Sequence, residues 1–322
     1  MTFARISGTG GYLPERVVTN KDLEDMVDTS DEWIQERSGI KRRHIAADGE
    51  TTSDMGLVAA KRALDSAGLT ADDVDLIIVA TTTPDKVFPS TACIVQRLLK
   101  VKNIPAFDVH AACSGFIYAL DIANRFITTG GAKNVLVIGS ETYSRLLDWT
   151  DRATCVLFGD GSGAVVLSAS SDAGVISTHI HSDGEFEELL HVPAGISSGY
   201  ETFQQENAFI QMKGNEVFRK AVGTLGSIAR ETLEGNNVSQ DDISWLVPHQ
   251  ANLRIIAAAA KKLGLPMEQV IVTVDEHANT SSASIPLALD VAVRDGRIKP
   301  GDLLLFEAFG AGFTWGSALV RY

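Results

Sequence analysis

The sequence contains few cysteines, and their spacing matches no known disulfide or metal-binding motif. The three, Cys93, Cys113 and Cys155, form no Cys-x-x-Cys pair in 322 residues. An odd number without paired spacing indicates neither a disulfide framework nor a zinc site, so we expect no bound metal. Three free thiols favour a reducing compartment, the cytoplasm.

Long hydrophobic runs are also missing. No segment approaches the roughly 18 apolar residues that a membrane helix needs. The first residues, MTFARISG, lack the apolar segment that is typical of a secretion signal. We therefore expect a protein with no membrane partner.

Basic residues are outnumbered by acidic ones. The chain has 28 Lys and Arg against 41 Asp and Glu, a formal net charge of -13. This balance argues against broad nucleic-acid binding, although it leaves a local basic patch open. A hydrophobic fraction of 45% is that of a folded protein.

The second half of the chain repeats the first. Residues 119–125, ALDIANR, resemble residues 288–294, ALDVAVR (288 − 119 = 169). At the same displacement the apolar segment 75–79 aligns with 244–248, and Ile6 aligns with Val175. Three segments in one register indicate a duplicated unit. Strands alternate with helices in each unit, which predicts two α/β halves, residues 1–170 and 171–322.

Cys113 lies at a predicted strand-to-helix turn, DVHAACSGF, residues 108–116. A helix N-terminus favours a thiolate, and small neighbours leave room for an acyl group, so Cys113 is a candidate nucleophile. The alternative is an inert buried cysteine.

The duplication places polar residues opposite this turn. The displacement aligns Cys113 with Ser282 and Ala80, at a strand end, with His249. Catalytic groups gather at such strand ends in open α/β sheets. Taken alone, His249 is better interpreted as a cap or core histidine, and Asn279 is equally a turn or cap residue.

A glycine-rich run, GDGSG at residues 159–163, resembles a nucleotide loop. It precedes an apolar strand rather than a helix, so no helix N-terminus faces a phosphate. We expect a glycine-rich hairpin beside the site instead.

Four motifs occur together: ACSG at 112–115, PHQAN at 248–252, HANTSSAS at 277–284 and GAGFTWGSA at 310–318. With them the sequence resembles the β-ketoacyl-[acyl-carrier-protein] synthase III family, condensing enzymes of the thiolase superfamily. The resemblance implies a thiolase-like α/β fold: two duplicated halves, each with a mixed five-stranded sheet, in αβαβα layers.

The resemblance also implies an activity. Acyl-CoA, with acetyl or another short primer, is condensed with malonyl-acyl-carrier protein to give 3-oxoacyl-acyl-carrier protein, CoA and carbon dioxide, the first step of fatty-acid synthesis. Cys113 would be acylated, and His249 and Asn279 would stabilise the malonyl enolate. The backbone N–H groups of Cys113 and Ala311 would form the oxyanion hole. Ala311 replaces a common glycine, which would add strain at a positive φ.

Substrate-binding residues follow from the same resemblance. Coenzyme A would be held by Trp33, Arg37, Arg152, Gly214 and Asn252, and the carrier protein by Gln250, Ala251, Asn252, Leu253, Arg254, Arg219, Lys261 and Lys262. No cofactor would be bound permanently, because coenzyme A and the carrier's phosphopantetheine arrive with the substrates. For the exposed arginines and lysines the alternative is a solvated helix face.

The acyl pocket would be lined by Phe88, Tyr143, Phe158, Leu190 and Ile210. Phe88 would cross from the partner of a homodimer, and its alternative is core packing. Three rival functions remain open at this point: a specialised condensing enzyme with another acyl donor or acceptor, a Cys-His-Asn thioester hydrolase, and a silent acyl-CoA-binding protein.

Overall fold

The computed structural model describes residues 2–199, 201 and 208–322. Its strands are Phe3–Tyr12 (β1), Arg16–Thr19 (β2), Arg42–Ile45 (β3), Leu76–Ala80 (β4), Ala106–Val109 (β5), Asn134–Thr142 (β6), Asp160–Ser170 (β7), Val175–Ser182 (β8), Leu190–His191 (β9), Gln211–Met212 (β10), Trp245–Pro248 (β11), Leu303–Gly310 (β12) and Thr314–Arg321 (β13). Its α-helices are Asn20–Glu24 (α1), Asp31–Ser38 (α2), Thr52–Ala67 (α3), Thr91–Leu99 (α4), Gly115–Thr128 (α5), Gly214–Gly235 (α6), Leu253–Lys262 (α7), Val274–His277 (α8) and Ser284–Arg294 (α9). Within these ranges no helix is long and apolar enough to cross a membrane.

The first half contains a mixed five-stranded sheet in the order β1-β7-β6-β4-β5. Strand β4 is parallel to β5 and β6, whereas β7 is antiparallel to β1 and β6. The central β4 is apolar and fully buried, as a strand with helices on both faces must be. The proposed boundary after residue 170 falls between β7 and β8.

The second half repeats this sheet in the order β11-β12-β13-β8, which corresponds to β4-β6-β7-β1. Leu76 pairs with Val135 in the first sheet, and Trp245 pairs with Leu304 in the second, each 169 residues later. The duplication read from the sequence is therefore also a duplication of strand register.

Among the described residues, the second sheet has four strands and lacks the expected fifth. A single parallel bridge from Leu246 to Val270 takes the place beside β11 that β5 has beside β4. Residues 275–278, which align with β5, belong mostly to the short helix α8. The charged pair Asp275 and Glu276 lies at the start of this helix, where acidic side chains are favourable.

Helices lie in three layers around the two sheets. α3 and α4 cover the outer face of the first sheet, and α6 and α7 cover that of the second. α5 and α9 fill the space between the sheets, where the largest apolar cluster lies. The order αβαβα is the predicted one.

The glycine-rich run of residues 159–163 is not a hairpin. Its last four residues lie within the long strand β7. Gly163 is needed there because a Cβ would lie 2.6 Å from the backbone nitrogen of Leu287 in α9. The glycines therefore allow a helix to approach the sheet closely.

Two buried aspartates join the halves reciprocally. Thr9 of β1 donates to Asp290 of α9 at 2.8 Å, and Thr178 of β8, 169 residues after Thr9, donates to Asp121 of α5. Arg125 and Arg294 each lie one helical turn after an aspartate, at 2.8 Å. Each central helix is thus tied to the first strand of the opposite half.

We expect Asp121→Ala and Asp290→Ala each to lower the free energy of unfolding by about 1.5–3 kcal/mol, the usual contribution of hydrogen bonds to a charged group. Tryptophan fluorescence in urea, at fixed protein concentration, measures the change. Arg125→Ala and Arg294→Ala are the controls, since these side chains are 70% and 54% exposed and should contribute less. Arginine variants as costly as the aspartate variants would contradict this assignment.

Candidate active site

Two equivalent turns meet where the halves face each other. The turn Ala112–Ser114 leads into α5, the turn Ser281–Ala283 leads into α9, and the two are in contact. Ala112 and Ser281 occupy the same position of the repeat, and both have a positive φ, 44° and 50°. Such backbone strain in residues other than glycine is concentrated at functional sites.

Cys113 lies in the first turn and is 4% exposed. Burial raises the pKa of its thiol to about 12, with hydrogen bonding from Ser281 acting against the rise and the charge of Glu141 adding to it. Burial of the sulfur thus opposes the thiolate form that the helix N-terminus favours.

His249 directly follows β11, and its backbone N–H donates to the carbonyl of Glu307 at 2.8 Å. Its Nδ1 lies 2.6 Å from the Ser284 hydroxyl, which also accepts the backbone N–H of Gln250 at 3.3 Å. The Gln250 N–H is itself a donor, so of the two groups bonded to the Ser284 hydroxyl only Nδ1 of His249 can accept its proton. The ring proton of His249 is therefore assigned to Nε2. Burial lowers the pKa of His249 to about 3, which makes it a neutral donor.

The hydrogen bonds of Asn279 engage its side-chain oxygen and leave its amide N–H₂ available as a donor. Its Oδ1 accepts the backbone N–H of Ser281 at 2.9 Å. Its own N–H donates to the Leu157 carbonyl at 2.9 Å, and its carbonyl accepts from Gly159 at 3.1 Å. Because the oxygen is engaged, Asn279 presents a donor, as His249 does.

The predicted oxyanion loop lies against the nucleophile. A Cβ on Gly310 would lie 2.8 Å from the Cys113 nitrogen, so only glycine permits this approach. Thr314 Oγ1 lies 2.9 Å from the carbonyl oxygen of Ala111 and 3.1 Å from that of Ala311, joining the two segments. Ala311 does not have a positive φ, so the strain considered for it is not present.

Four of the five predicted coenzyme A residues are linked to each other. The guanidinium carbons of Arg37 and Arg152 lie 5.8 and 5.3 Å from the ring centre of Trp33. Asn252, the N-cap of α7, donates to the Arg37 carbonyl at 3.0 Å. Gly214 is the first residue of α6. An aromatic face with two cations is suited to an adenine and its phosphates.

Gln250 does not belong to a carrier-protein surface, contrary to the sequence-based prediction. It is 0% exposed, and its amide nitrogen donates to the carbonyls of Pro248 and Ile271 at 2.8 and 3.0 Å. Its oxygen accepts the N–H groups of Thr273 and Val274 at 2.8 and 3.1 Å. With its amide fully bonded inside the protein, it positions the loop that follows Val270.

The other predicted carrier-protein residues lie on or next to α6 and α7. Arg219, Arg254, Lys261 and Lys262 are exposed, whereas Ala251, Asn252 and Leu253 are partly buried. The Arg254 guanidinium lies 5.3 Å from the ring centre of Phe218, so a cation–π contact orients it against α6.

Four of the five residues predicted to line the acyl pocket lie in one cluster within a single chain. Tyr143, Phe158 and Ile210 are buried in one cluster, and Leu190 packs against it. The rings of Tyr143 and Phe158 stack at 5.1 Å. Phe88 is 82% exposed, which rules out its core-packing alternative.

Sequence reasoning missed the residues that orient these groups. Ser281, Ser284 and Thr314 lie within the quoted motifs, but the sequence assigned no role to them. Glu141 lies in none of these motifs. Glu141 had a usable signal, because it is a carboxylate at the end of an otherwise apolar and small-residue strand.

Comparisons with known proteins agree with this geometry. A family model for 3-oxoacyl-[acyl-carrier-protein (ACP)] synthase III matches residues 107–184, and its C-terminal counterpart matches residues 233–322. The chain is 65% identical over 322 residues to a beta-ketoacyl-[acyl-carrier-protein] synthase III of Thioalkalivibrio sulfidiphilus, covering 100% of both chains. The enzyme of that name from Xanthomonas campestris is 60% identical over 320 residues, 99% of this chain and 98% of the relative.

Solved structures are similar over the whole chain. The 3-oxoacyl-[acyl-carrier-protein] synthase III of Aquifex aeolicus is 52% identical with a TM-score of 0.94, covering 99% of this chain and 100% of that one. The priming beta-ketosynthase of the R1128 polyketide pathway is 38% identical with a TM-score of 0.94, covering 99% and 96%. Fold, site and full-length identity lead to one conclusion: this chain belongs to the β-ketoacyl-[acyl-carrier-protein] synthase III family of condensing acyltransferases.

Proposed function

We propose that this chain condenses an acyl-CoA with malonyl-acyl-carrier protein, giving 3-oxoacyl-acyl-carrier protein, CoA and carbon dioxide at the start of fatty-acid synthesis. One observation carries the proposal. The two turns around Cys113 are accompanied by two neutral hydrogen-bond donors, the Nε2–H of His249 and the amide of Asn279, each fixed from behind by a separate bond.

In the first half-reaction Cys113 attacks the acyl-CoA thioester. The tetrahedral intermediate carries a negative oxygen, which the backbone N–H groups of Cys113 and Ala311 stabilise. Coenzyme A leaves as a thiol, and the acyl group remains on Cys113 as a thioester. Coenzyme A and phosphopantetheine are parts of the substrates, and the chemistry requires no resident cofactor.

In the second half-reaction the malonyl thioester loses carbon dioxide and becomes an enolate. His249 and Asn279 donate to its oxygen, and neither adds a negative charge that would oppose it. Since the pKa of His249 is lowered to about 3, the histidine stays neutral throughout the physiological range. The enolate carbon then attacks the acyl carbon, the bond from that carbon to the Cys113 sulfur breaks, and the released thiolate takes up a proton from solvent.

Several finer assignments belong to the same proposal. Trp33, Arg37, Arg152, Gly214 and Asn252 hold coenzyme A, and Arg219, Arg254, Lys261 and Lys262 receive the acidic carrier protein. A second copy of the chain covers Phe88 and the neighbouring Val87, which is 62% exposed, in a homodimer. Tyr143, Phe158, Leu190 and Ile210 line the acyl pocket, where the two bulky rings favour a short primer such as acetyl. Three free cysteines are consistent with the reducing cytoplasm.

The bonding argues against the Cys-His-Asn hydrolase. In such a triad the asparagine oxygen orients the histidine. Here that oxygen is bonded to the Ser281 N–H, and the Nδ1 of His249 is bonded to Ser284. A specialised condensing enzyme is a further alternative, favoured by the 38% identity to a priming ketosynthase of polyketide synthesis. A comparison of turnover with acetyl-CoA, longer and branched acyl-CoA separates the two.

The two half-reactions should separate by mutation. We expect His249→Ala and Asn279→Ala to retain acylation of Cys113 by radiolabelled acetyl-CoA but to lose about 10²–10³-fold in release of labelled carbon dioxide from malonyl-acyl-carrier protein. Cys113→Ala, which lacks the nucleophile, is the control and should take up no label from acetyl-CoA. Absence of label on Cys113 in the wild type, or equal loss of both steps in either variant, contradicts the proposal.

Ser284 should affect the second half-reaction alone. Ser284→Ala removes the proton donor to Nδ1 of His249, so part of the population changes to the tautomer with a proton on Nδ1. We expect roughly a tenfold loss of carbon dioxide release, less than that caused by removing the donor itself. The acylation rate of the same preparation serves as the control. Unchanged decarboxylation would refute the tautomer assignment.

A further inference from the structure

A buried arginine connects two parts of the chain that carry proposed coenzyme A residues, and the mechanism above gives it no role. Arg43, on β3, is 0% exposed, and none of the described acidic side chains forms a salt bridge with it. Burial lowers its pKa to about 10, so the guanidinium is still charged at pH 7. An apolar side chain of similar volume would fill this space without the cost of burying a charge. What distinguishes Arg43 from such a side chain is its set of directed hydrogen bonds.

One nitrogen of the Arg43 guanidinium reaches the segment that carries Arg152. Its Nη2 donates to the Val156 carbonyl at 2.9 Å. Just before Val156, the Cys155 N–H donates to the Asp151 carbonyl at 3.0 Å, which closes a tight turn around Arg152. Because this turn is closed, a shift of Val156 also shifts Arg152.

The other nitrogen reaches α2 through an asparagine. Nη1 of Arg43 donates to the side-chain oxygen of Asn20 at 2.9 Å and to the Val18 carbonyl at 3.2 Å. The Asn20 amide nitrogen in turn donates to the Asp31 carboxylate and to the Ile40 carbonyl, both at 2.7 Å. Asp31 is the first residue of α2, and Ile40 directly follows the residue that caps its end. The amide therefore holds both ends of this helix.

The two sets of bonds meet at the aromatic face proposed for adenine. α2 carries Trp33 and Arg37, and the Arg152 guanidinium lies over the same Trp33 ring from the other segment. We propose that Arg43 and Asn20 form a buried positioning pair, which sets α2 against the segment of Arg152. In that arrangement the ring and the two arginines bind the adenine and phosphates of coenzyme A together. The inference rests on the proposed function, in which these residues hold coenzyme A.

Apolar packing also joins these two parts of the chain. Ile34 and Ile40 lie in the same buried cluster as Cys155 and Val156. Such contacts are non-directional, whereas a planar guanidinium fixes the direction of each N–H that it donates. A misplacement of about 1 Å is enough to impair the alignment of a bound substrate. The hydrogen bonds of the positioning pair therefore determine the register, and the apolar contacts contribute to stability.

The positioning pair acts only through the groups that it holds. Arg43 and Asn20 are 0% and 1% exposed, so neither side chain is available to a substrate. Beyond Val156, the Leu157 carbonyl accepts the backbone N–H of Asn279. The acylation half-reaction is therefore the appropriate measurement, because Asn279 has no role in it.

Two acetyl thioesters separate a positioning effect from a general loss of structure. Acetyl-CoA carries adenine and phosphates, whereas S-acetyl-N-acetylcysteamine carries the same thioester without them. We expect Arg43→Met and Asn20→Asp each to raise the half-saturating acetyl-CoA concentration for acylation of Cys113 about tenfold, because the cations no longer align with the Trp33 ring. Asn20→Asp keeps the acceptor for Arg43 but removes the donor to α2. The rate with the N-acetylcysteamine thioester should stay near the wild-type value in both variants.

The neighbouring arginine provides a matched control. Arg42, also on β3, pairs with Glu276 at 3.1 Å on the surface, so Arg42→Met should change the kinetics with neither thioester. Equal loss with both thioesters, or unchanged acetyl-CoA kinetics, in Arg43→Met or Asn20→Asp overturns the inference. If Arg43→Met is insoluble, Asn20→Asp decides in the same terms. A wild type that acylates Cys113 with neither thioester instead refutes the proposed function.

Discussion

The reciprocal bonding of two buried aspartates is the constraint from which the site follows. Asp121 and Asp290 tie α5 and α9 to the first strands of the opposite halves, so the two central helices cannot move independently of either sheet. Each helix begins directly after one of the two equivalent turns that are in contact. The same bonds that join the duplicated halves therefore set the Cys113 turn against the Ser281–Ala283 turn.

The duplicated turns have diverged in chemistry while keeping one geometry. In the first half the position after the strained residue is the nucleophile Cys113, and in the second it is Ser282. The second half supplies the orienting groups instead: Ser281 bonds Asn279 and Glu141, and Ser284 bonds His249. Burial lowers the pKa of His249 and raises that of the Cys113 thiol, so it favours the neutral form of each. The site thus presents hydrogen-bond donors rather than charges to an enolate oxygen.

Much of this was predictable from sequence, for identifiable reasons. The 169-residue displacement predicted that the segments of β4 and β11 are equivalent, and that polar residues of the second half lie opposite the Cys113 turn. The five-stranded second sheet that the resemblance implied is not found in the described residues, because residues 275–278, which align with β5, belong mostly to a short helix. Gln250 was misassigned because a motif does not reveal which side chain after a strand turns inward. The raised pKa of Cys113 follows mainly from burial by elements distant in sequence, which a local motif does not reveal.

The central claim is that His249 and Asn279 donate to the same substrate oxygen beside Cys113. A crystal structure of the Cys113→Ala variant with bound malonyl-CoA tests it most directly. The account predicts the thioester carbonyl oxygen within about 3.2 Å of both His249 Nε2 and Asn279 Nδ2. A thioester carbonyl that contacts neither donor, or an Asn279 amide turned to place Oδ1 on the His249 ring, would contradict it.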